Sequence, residues 1–540
     1  MIVLPINLSH PQSTISTHSI LRTDGRKRTP SSFYPEPVDS KSAAAHIREE
    51  KKIVIMTKLN ENEQLSVGVI GAGLAGTMVA VLLEKLGLKV TVFEKRLDQR
   101  KDATNLAGEF GASQSALKRS INLALSYRGQ IALKELGVLE EAMNDAIRMP
   151  CRVIHTRDGG VIQQQYGTPD EAIWSVGREK LNHLLLDKAC KVGSSVTVKF
   201  GYSLISADSK TGHCSFQNLN NKTVEDFDFD LVIGSDGAYS SLRECMLKQG
   251  RINFSRSYIA HGYKELSIPP VIASSGESDF ALPNHEGLHI WPRGEFMMIA
   301  LPNPDKSFTA TLFAPYKGEF GFDHVDPNDS EAINKYFSTH FPDVLAMMPD
   351  LCNDYSQNPV GSLLTVRVEP WNYGKLLLLG DAAHAVVPFY GQGMNAAFED
   401  GLRLYQVVKR QIDELREKKI GRIELDLCKS GQEFSDLRVA AANALADLCI
   451  EHYDDMAKNT SSTLYLLRIK VGASLAWMFP KLFLPMYSMV AFNDIPYHEA
   501  IKRSAKQDRM VDIVLQSSLL AIAASLAACG TIAYSKLLKN

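Results

Sequence analysis

The feature that most constrains this chain is a glycine pattern between a strand-like and a helix-like segment. An apolar run at residues 65–70 leads into Gly71-Ala-Gly73-Leu-Ala-Gly76, and an apolar helical stretch follows to residue 86. A second apolar strand at residues 89–93 ends at Glu94. Glycines at this spacing permit a tight turn, a close approach of the backbone to a pyrophosphate and close packing of the helix. The sequence therefore predicts a βαβ unit that binds a dinucleotide.

The acidic residue of this unit indicates which dinucleotides fit. Glu94 ends the second strand, where a carboxylate can accept hydrogen bonds from ribose hydroxyls. This favours FAD or NAD over NADP, whose ribose carries a phosphate. The N-terminus of the intervening helix offers unpaired N–H groups and a partial positive charge to the phosphates. The unit alone does not choose between FAD and NAD.

Two later motifs favour FAD. Gly234-Ser-Asp236-Gly237 follows an apolar strand, and Gly380-Asp381 ends another, ahead of Gly391-Gln-Gly393-Met394-Asn395. Asp381 can hold a polyol hydroxyl, and N–H groups near Met394 and Asn395 can stabilise negative charge on a reduced flavin ring. The three motifs, in this order, resemble the para-hydroxybenzoate hydroxylase class of FAD-dependent aromatic hydroxylases. In that class the Asp-Gly motif is associated with both FAD and NADPH.

One histidine beside the last motif requires an interpretation of its own. His384 follows Asp381 closely and could be taken for a catalytic base. A structural histidine next to a cofactor turn is the simpler interpretation. The class assigns the difficult chemistry to the flavin, so no catalytic side chain beyond the flavin is expected.

Composition excludes several other classes of protein. The 540 residues are 45% hydrophobic and 22% charged, which is typical of a folded globular protein. The net charge of -2 does not favour a nucleic-acid partner. The eight cysteines include no CxxC pair, so neither a zinc site nor a redox dithiol is indicated, and no metal is expected. Scattered cysteines are usually small core residues in a reducing compartment.

These patterns predict an α/β architecture. A Rossmann-type FAD-binding domain carries an inserted antiparallel-sheet substrate domain, followed by a C-terminal helical region and one transmembrane helix. After residue 380 the sequence is expected to be helical almost to the end, through 424–458 and 464–503. The predicted boundaries are 1–64 for an N-terminal extension, 65–150 and 231–257 for FAD binding, 151–230 for a mixed region, 258–372 for the substrate domain, 373–423 for the last FAD-binding segment, 424–510 for the helical region and 511–535 for the anchor.

The two ends of the chain differ in character. Residues 1–64 are rich in Ser, Thr, Pro and charge, and their acids do not suit a mitochondrial presequence, so a disordered extension is expected. Residues 513–535 carry no charge, which at 1.5 Å per residue is enough helix for a bilayer core of about 30 Å. A tail anchor is favoured over a buried core helix.

Within the hydroxylase class, the chain is similar to the kynurenine 3-monooxygenase family. The segments that carry this resemblance are 119–126, 174–182, 261–263, 288–293, 296–302 and 380–395. The resemblance implies hydroxylation of L-kynurenine to 3-hydroxy-L-kynurenine with NADPH and O₂, in the kynurenine pathway of tryptophan degradation towards NAD. It also implies a location at the mitochondrial outer membrane, with the catalytic part facing the cytosol.

The resemblance assigns roles to particular residues. Arg152 and Tyr166 match the carboxylate-binding pair of the family, Tyr487 matches its C-terminal pocket tyrosine, and His452 stands where the family usually has asparagine. The expected FAD contacts are Gly71, Gly73, Ala75, Gly76, Glu94, Lys95, Arg96, Ala124, Arg178, Leu204, Asp236, Gly237, Asp381, Met394 and Asn395.

Two other functions are compatible with the sequence. A related flavin hydroxylase could act on an anthranilate-like or phenolic substrate, or on an apolar epoxidase substrate. Such an enzyme would not need Arg152 and Tyr166 to cooperate. A catalytically silent flavin-binding protein at the membrane would keep the glycine motif but show no substrate-stimulated oxidation of NADPH.

Overall fold

The computed structural model of the protein describes residues 64–101, 122–418, 424–457 and 471–537, except positions 473, 477, 480 and 481. The predicted extension at 1–64 lies outside the described residues apart from Gln64, and so do residues 119–121 of the first resemblance segment.

The strands of the described residues are β1 Ser66–Ile70, β2 Lys89–Glu94, β3 Asn122–Leu125, β4 Ile147–Met149, β5 Cys151–His155, β6 Val161–Gln165, β7 Ile173–Gly177, β8 Val196–Phe200, β9 Tyr202–Ala207, β10 His213–Asn218, β11 Val224–Asp228, β12 Leu231–Gly234, β13 Asn253–Ile268, β14 Val271–Ile272, β15 Ser278–Asp279, β16 Gly287–Pro292, β17 Met297–Pro302, β18 Phe308–Pro315, β19 Gly361–Glu369, β20 Asn372–Tyr373 and β21 Leu376–Leu378.

The α-helices are α1 Leu74–Lys85, α2 Tyr127–Leu136, α3 Leu139–Met143, α4 Arg178–Ala189, α5 Ser241–Gln249, α6 Ser330–His340, α7 Pro342–Leu345, α8 Leu351–Gln357, α9 Asp381–His384, α10 Gly393–Glu417, α11 Leu427–Ala457, α12 Met486–Ala491 and α13 Tyr497–Leu537. A short 3-10 helix spans Pro388–Tyr390.

The central sheet confirms the predicted α/β fold. Six strands lie in the order β20-β21-β12-β1-β2-β8, and all their pairings are parallel except that of β20 with β21. The buried pattern of β12 and β21 is continuous, as expected for strands covered on both faces. Because parallel strands end at one edge, the three predicted cofactor motifs at the ends of β1, β12 and β21 are brought together.

A second sheet of seven strands contains the antiparallel pairs predicted from alternating residues. Its order is β19-β13-β18-β17-β16-β5-β6. β16 and β5 pair in parallel, with Gly287 opposite Cys151. Strand β5, which carries Arg152, and strand β6 thus join a sheet whose other five strands all begin at residue 253 or later. Smaller sheets are β11-β10-β9, β3-β7-β4 and β14-β15.

The C-terminal helices differ from the predicted pattern. The helical prediction for 464–503 holds only in part, because α12 and α13 are separate and residues 483–485 and 493–496 are not helical. Pro485 precedes α12, and Pro496 precedes α13. Proline lacks an N–H group and clashes with the preceding turn, so a helix starts at these positions rather than running through them.

The segment predicted as a transmembrane helix lies in the second half of α13. Among the described residues, no helix is both long enough and apolar enough to cross a membrane, so the structure does not bear out a membrane span at 511–535. Charged residues occupy this helix up to Asp512, and Val511 packs against Leu475 and Phe483. The side chains beyond residue 517 are outside the described ones, except at 524 and 525.

A buried network of charges ties the cofactor helix α10 to its neighbours. Arg128 contacts Glu399 at 2.9 Å, and Arg438 contacts Glu399 at 3.1 Å and Asp400 at 2.8 Å. Asp400 also binds His384 Nε2. All five side chains are at most 6% exposed. Each charge therefore has a partner that compensates its loss of water.

Arg128 extends this network to the C-terminal region. It donates to the carbonyl oxygens of Val490 and Ile495 and lies 4.1 Å from the centre of the Tyr497 ring. Val490 and Tyr497 share an apolar cluster with Phe389 and Tyr390 of the 3-10 helix. Helices α11 to α13 are therefore held against the cofactor loop.

Candidate active site

A cavity of about 520 Å³ is lined by residues of both large sheets. Gly73, Gly237 and Asp381 line it from the three cofactor motifs of the six-stranded sheet. Arg152 and Tyr487 line it elsewhere. A volume of this order suits a ligand pocket.

The three glycines of the first motif have different physical roles. Gly71 has φ +101°, and a Cβ there would meet the Ser235 carbonyl oxygen at 2.6 Å. A Cβ at Gly76 would lie 2.0 Å from the Gly71 carbonyl oxygen, so only glycine allows the helix to pack this closely. A Cβ at Gly73 would meet nothing within 4 Å, and Gly73 lines the cavity. The open space over Gly73 fits a phosphate group at the N-terminus of α1.

Glu94 is buried and ionised at the end of β2. It accepts hydrogen bonds from Ala72 N at 2.8 Å and from Arg96 Nε at 2.8 Å. Burial raises the pKa of Glu94, but the hydrogen bonds and charge of Arg96 outweigh burial and lower its pKa below the ordinary value. Arg96 and Lys95 are exposed, and neither lines the cavity. The side-chain contact that the structure shows for Arg96 is therefore its ion pair with Glu94, which keeps that carboxylate ionised.

In the Asp-Gly motif, one carboxylate oxygen of Asp236 is hydrogen-bonded and the other has no partner among the described residues. Asp236 Oδ2 accepts from Ser241 N at 2.6 Å, at the start of α5, while its buried Oδ1 has no partner among the described residues. Gly237 has φ +83° and lines the cavity. Arg243 of α5 donates to the carbonyl oxygens of Ala238 at 2.8 Å and Ala382 at 2.9 Å. One buried guanidinium therefore joins the Asp-Gly and Gly-Asp segments.

The last motif presents a helix N-terminus to the cavity. Asp381, exposed to the cavity, follows Gly380. The first hydrogen bond of α10 runs from Ala396 N to Gln392 O at 2.8 Å, so the N–H groups of Gly393, Met394 and Asn395 precede it. Gly393 and Met394 line the cavity. The positive end of this long helix suits negative charge on a reduced flavin.

The amide of Asn395 has a structural role that the sequence did not reveal. Its Oδ1 accepts from Ser126 N at 2.9 Å, and its Nδ2 donates to Ala124 O at 2.8 Å. Asn395 is fully buried, and its side chain does not line the cavity. It fixes the end of β3 against the cofactor loop, and only its backbone N–H remains for a ligand.

The other predicted FAD contacts divide into two groups. Ala75, Ala124 and Arg178 line the cavity. Leu204 does not line it and packs in the core of the FAD-binding part. His384 is buried, stacks on Trp371 at 4.8 Å and binds Asp400, and it does not line the cavity.

The four residues assigned to the substrate meet although they come from four distant segments. Arg152 Nη2 lies 3.0 Å from His452 Nε2. The Arg152 guanidinium lies 5.3 Å from the Tyr166 ring centre and 4.9 Å from that of Tyr487. The two tyrosine rings stack at 4.7 Å. Of these four, Arg152 and Tyr487 line the cavity directly.

The protonation states at this end are set by burial. Burial and then the charge of Arg152 lower the pKa of His452 well below its ordinary value, so the ring is neutral and its Nε2 accepts from Arg152. Burial and then Tyr487 raise the pKa of Tyr166 well above its ordinary value, so its hydroxyl keeps its proton. A neutral imidazole can thus do here what a side-chain amide oxygen would do.

Tyr390 also belongs to the site, although the sequence analysis did not single it out. Its ring stacks on Tyr487 at 5.4 Å and approaches His452 at 4.4 Å, and it lines the cavity. An aromatic residue inside the glycine-rich loop at 388–393 was the available signal. The apolar wall, also unassigned from sequence, comprises Leu288, Met297, Ile299, Leu301 and Phe313.

Together, the glycine turn, the two acidic motifs and the helix N-terminus facing one cavity define an FAD-binding protein of the flavin hydroxylase type. The FAD binding domain family matches residues 64–418. Among solved structures, 2-methyl-3-hydroxypyridine-5-carboxylic acid oxygenase superposes with a TM-score of 0.57 at 17% identity, covering 75% of this chain and 95% of that one. Tetracycline destructase Tet(55) gives a TM-score of 0.52 at 15% identity, covering 78% and 99%. These two likenesses concern the fold.

Sequence relatives identify the family more closely. Kynurenine 3-monooxygenase of Anopheles gambiae is 37% identical, covering 88% of this chain and 91% of the relative. Kynurenine 3-monooxygenase of Dictyostelium discoideum is 38% identical, covering 80% of this chain and 89% of the relative. Kynurenine 3-monooxygenase of Sus scrofa is 37% identical, covering 84% of this chain and 89% of the relative. The chain belongs to the kynurenine 3-monooxygenase family.

Proposed function

We propose that this protein hydroxylates L-kynurenine to 3-hydroxy-L-kynurenine. The reaction consumes NADPH, a proton and O₂ and yields NADP⁺ and water, with one oxygen atom entering the aromatic ring. Family membership, the FAD-binding motifs and the residues around Arg152 support this proposal.

The observation that carries the substrate assignment is that the buried Arg152 has no carboxylate partner among the described residues. Among the described residues, no carboxylate forms an ion pair with Arg152, and its buried Nε has no hydrogen-bond partner. The buried Tyr166 hydroxyl also lacks one. A buried cation without a counter-charge is costly, and an arginine fork matches a carboxylate. An amino-acid carboxylate would complete both groups, and kynurenine carries one.

The residues of the cofactor motifs fit FAD. Gly73 and the N-terminus of α1 would hold the pyrophosphate, Glu94 the ribose and Asp381 the polyol chain. The N–H groups at the start of α10 would face the flavin ring. FAD, when bound and reduced, supplies the activated oxygen for the transfer.

The protein's own contribution is orientation and exclusion of water. With the carboxylate at Arg152, the aniline ring would occupy the rest of the same cavity, which Leu288, Met297 and Phe313 line together with Gly393 and Met394 at the start of α10. Holding the ring in one orientation selects the carbon beside the amine. The apolar wall limits water, which would divert the activated oxygen to hydrogen peroxide.

The test is NADPH consumption by the FAD-loaded protein with and without L-kynurenine, together with mass detection of the product. We expect stimulated oxidation and a product heavier by one oxygen atom. A matched reaction with anthranilate, which lacks the amino-acid group that Arg152 would bind, should give little stimulation. Equal stimulation by both compounds would contradict the assignment to kynurenine.

We also propose that the protein works at the mitochondrial outer membrane, with its catalytic part facing the cytosol. The support is the uncharged stretch at 513–535 and its charged flanks in the sequence. No described helix qualifies as a membrane span. The experiment therefore measures whether the protein sediments with mitochondrial membranes. Full-length protein should sediment with mitochondria and a variant lacking residues 511–540 should not; equal sedimentation of both would refute attachment through this stretch.

A further inference from the structure

An exposed group of aromatic and cationic side chains lies beside the cavity. This rim patch consists of Tyr239, Arg256 and Tyr258. Tyr239 and Tyr258 are 62% and 51% exposed, and their hydroxyl oxygens lie 3.3 Å apart. The Arg256 guanidinium carbon lies 4.9 Å from the centre of the Tyr239 ring. The two exposed rings meet at their hydroxyl groups, and their faces offer a surface to a planar ligand.

The rim patch is continuous with the cavity. Tyr239 follows Ala238, which lines the cavity beside the Asp-Gly motif. Tyr258 on β13 is the cross-strand partner of Leu364 on β19, which also lines it. A ligand on the patch could therefore reach into the cavity over a short distance.

The charge of the patch is uncompensated within the described part of the chain. No carboxylate there forms an ion pair with Arg256, which is exposed. Arg243, the other cation nearby, is buried under the patch, where it stacks on Phe254 at 4.6 Å. The patch thus combines aromatic faces with a guanidinium that has no acidic partner among the described residues, which suits a purine that carries a phosphate.

We infer that the rim patch binds the adenosine 2′-phosphate half of NADPH. The inference rests on the proposed function, which requires NADPH as electron donor. The glycine turn at Gly71 is assigned to FAD, so the second dinucleotide needs another surface. The adenine stacks on Tyr239 and Tyr258, the 2′-phosphate binds Arg256, and the nicotinamide end enters the cavity past Gly237 and Ala238.

The test is the dissociation constant of NADP⁺ and of NAD⁺ for the FAD-loaded full chain, measured by calorimetry without kynurenine. Tyr239→Ala and Tyr258→Ala should each weaken NADP⁺ binding about fivefold or more, because each removes a stacking surface. Tyr258→Phe keeps the ring and should stay within about twofold of the unaltered protein.

Arg256→Ala separates the phosphate contact from stacking. It should weaken NADP⁺ binding about tenfold and leave NAD⁺ binding unchanged, since NAD⁺ lacks the 2′-phosphate. The matched control is Arg416→Ala, which removes an exposed arginine on α10 that pairs with Asp413 at 3.2 Å. This control should leave both constants unchanged.

Three results would overturn the inference. They are unchanged NADP⁺ binding in both Tyr→Ala variants, equal losses for NADP⁺ and NAD⁺ in Arg256→Ala, and no NADP⁺ binding by the unaltered protein. Retained FAD absorbance in each variant shows that the fold is intact. Kynurenine-stimulated oxidation of NADPH by the unaltered protein is measured separately, so that failure of the proposed function is distinguished from failure of the patch.

Discussion

The two ends of the cavity are built in opposite ways. The cofactor end relies on backbone: glycine turns, N–H groups and two helix N-termini, all placed by the carboxyl ends of parallel strands. The substrate end relies on the side chains of Arg152, Tyr166, His452 and Tyr487, which come from four separate segments. Arg152 and His452 are 300 positions apart and meet at 3.0 Å.

This difference has a consequence for substitution. At the cofactor end a methyl group added at Gly71 or Gly76 meets backbone atoms, so changes at these two positions should affect the fold and FAD together. At the substrate end side chains project into a cavity, so changes should affect substrate alone. Variants of both ends can test this contrast.

The largest effect is expected at Gly76. In Gly76→Ala the new Cβ would meet the Gly71 carbonyl oxygen at 2.0 Å, so we expect destabilisation of roughly 3 kcal/mol or more and loss of FAD. Gly73→Ala is the matched control, because its Cβ enters open space: stability should stay within about 1 kcal/mol while FAD affinity falls. Thermal denaturation and flavin absorbance measure the two effects. Equal melting temperatures of the Gly76→Ala and Gly73→Ala variants would show that close packing at Gly76 does not limit stability.

The next effect is expected at Arg152. Arg152→Ala should raise the KM for kynurenine roughly 100-fold, because it removes the only charged partner proposed for the carboxylate. Bound FAD and the KM for NADPH should not change. Steady-state kinetics and the flavin spectrum of the purified variant test this, and loss of FAD would mean that the two ends of the cavity are not independent.

A smaller effect is expected at Tyr166. Tyr166→Phe keeps the ring that stacks on Tyr487 and removes only the buried hydroxyl, which has no partner among the described residues. The KM for kynurenine should rise roughly 3- to 10-fold. The melting temperature should stay equal or rise, because an unsatisfied buried polar group is lost. A lower melting temperature would show that the hydroxyl stabilises the fold instead.

The smallest effect is expected at His452. Its pKa lies well below the ordinary 6.5, so the ring is neutral above that pH, and His452→Asn should change kcat/KM less than about threefold between pH 7 and 8. Stability should respond differently. The unfolded histidine binds a proton near pH 6.5 and the folded one does not, so the unaltered protein loses stability as pH falls below 6.5. The asparagine variant should lose less over pH 5 to 6.5, as measured by denaturant titration, and parallel losses would place the pKa of His452 nearer its ordinary value.

The contrast between the cofactor end and the substrate end of the cavity also explains which features the sequence could predict. The strands at 66–70 and 89–94, helix α1 and the roles of Gly71, Gly73 and Gly76 follow from local periodicity and spacing. These features depend on neighbours a few residues away. The fold class and the cofactor motifs were therefore accessible without coordinates.

Contacts between distant segments were not accessible in this way. Nothing near Cys151 in the sequence indicates that its strand pairs with Gly287, and nothing near Asn395 indicates that its amide is used by Ala124 and Ser126. Apolar spacing predicted helical structure throughout 464–503, but the chain breaks before α12 at Pro485 and before α13 at Pro496. The substrate residues came from family resemblance, and their mutual geometry from the fold.

The buried charges around α10 constrain how this protein can change over evolutionary time. Arg128, Glu399, Arg438 and Asp400 compensate one another away from water, and His384 binds Asp400, so replacing any one of the five removes a buried partner from a neighbour. Such a single step costs several kcal/mol, whereas exchanging the whole set for well-packed apolar residues can be neutral or favourable. The five positions should therefore vary together among descendants or not at all, and an engineer seeking a more heat-resistant enzyme would have to redesign them as one unit.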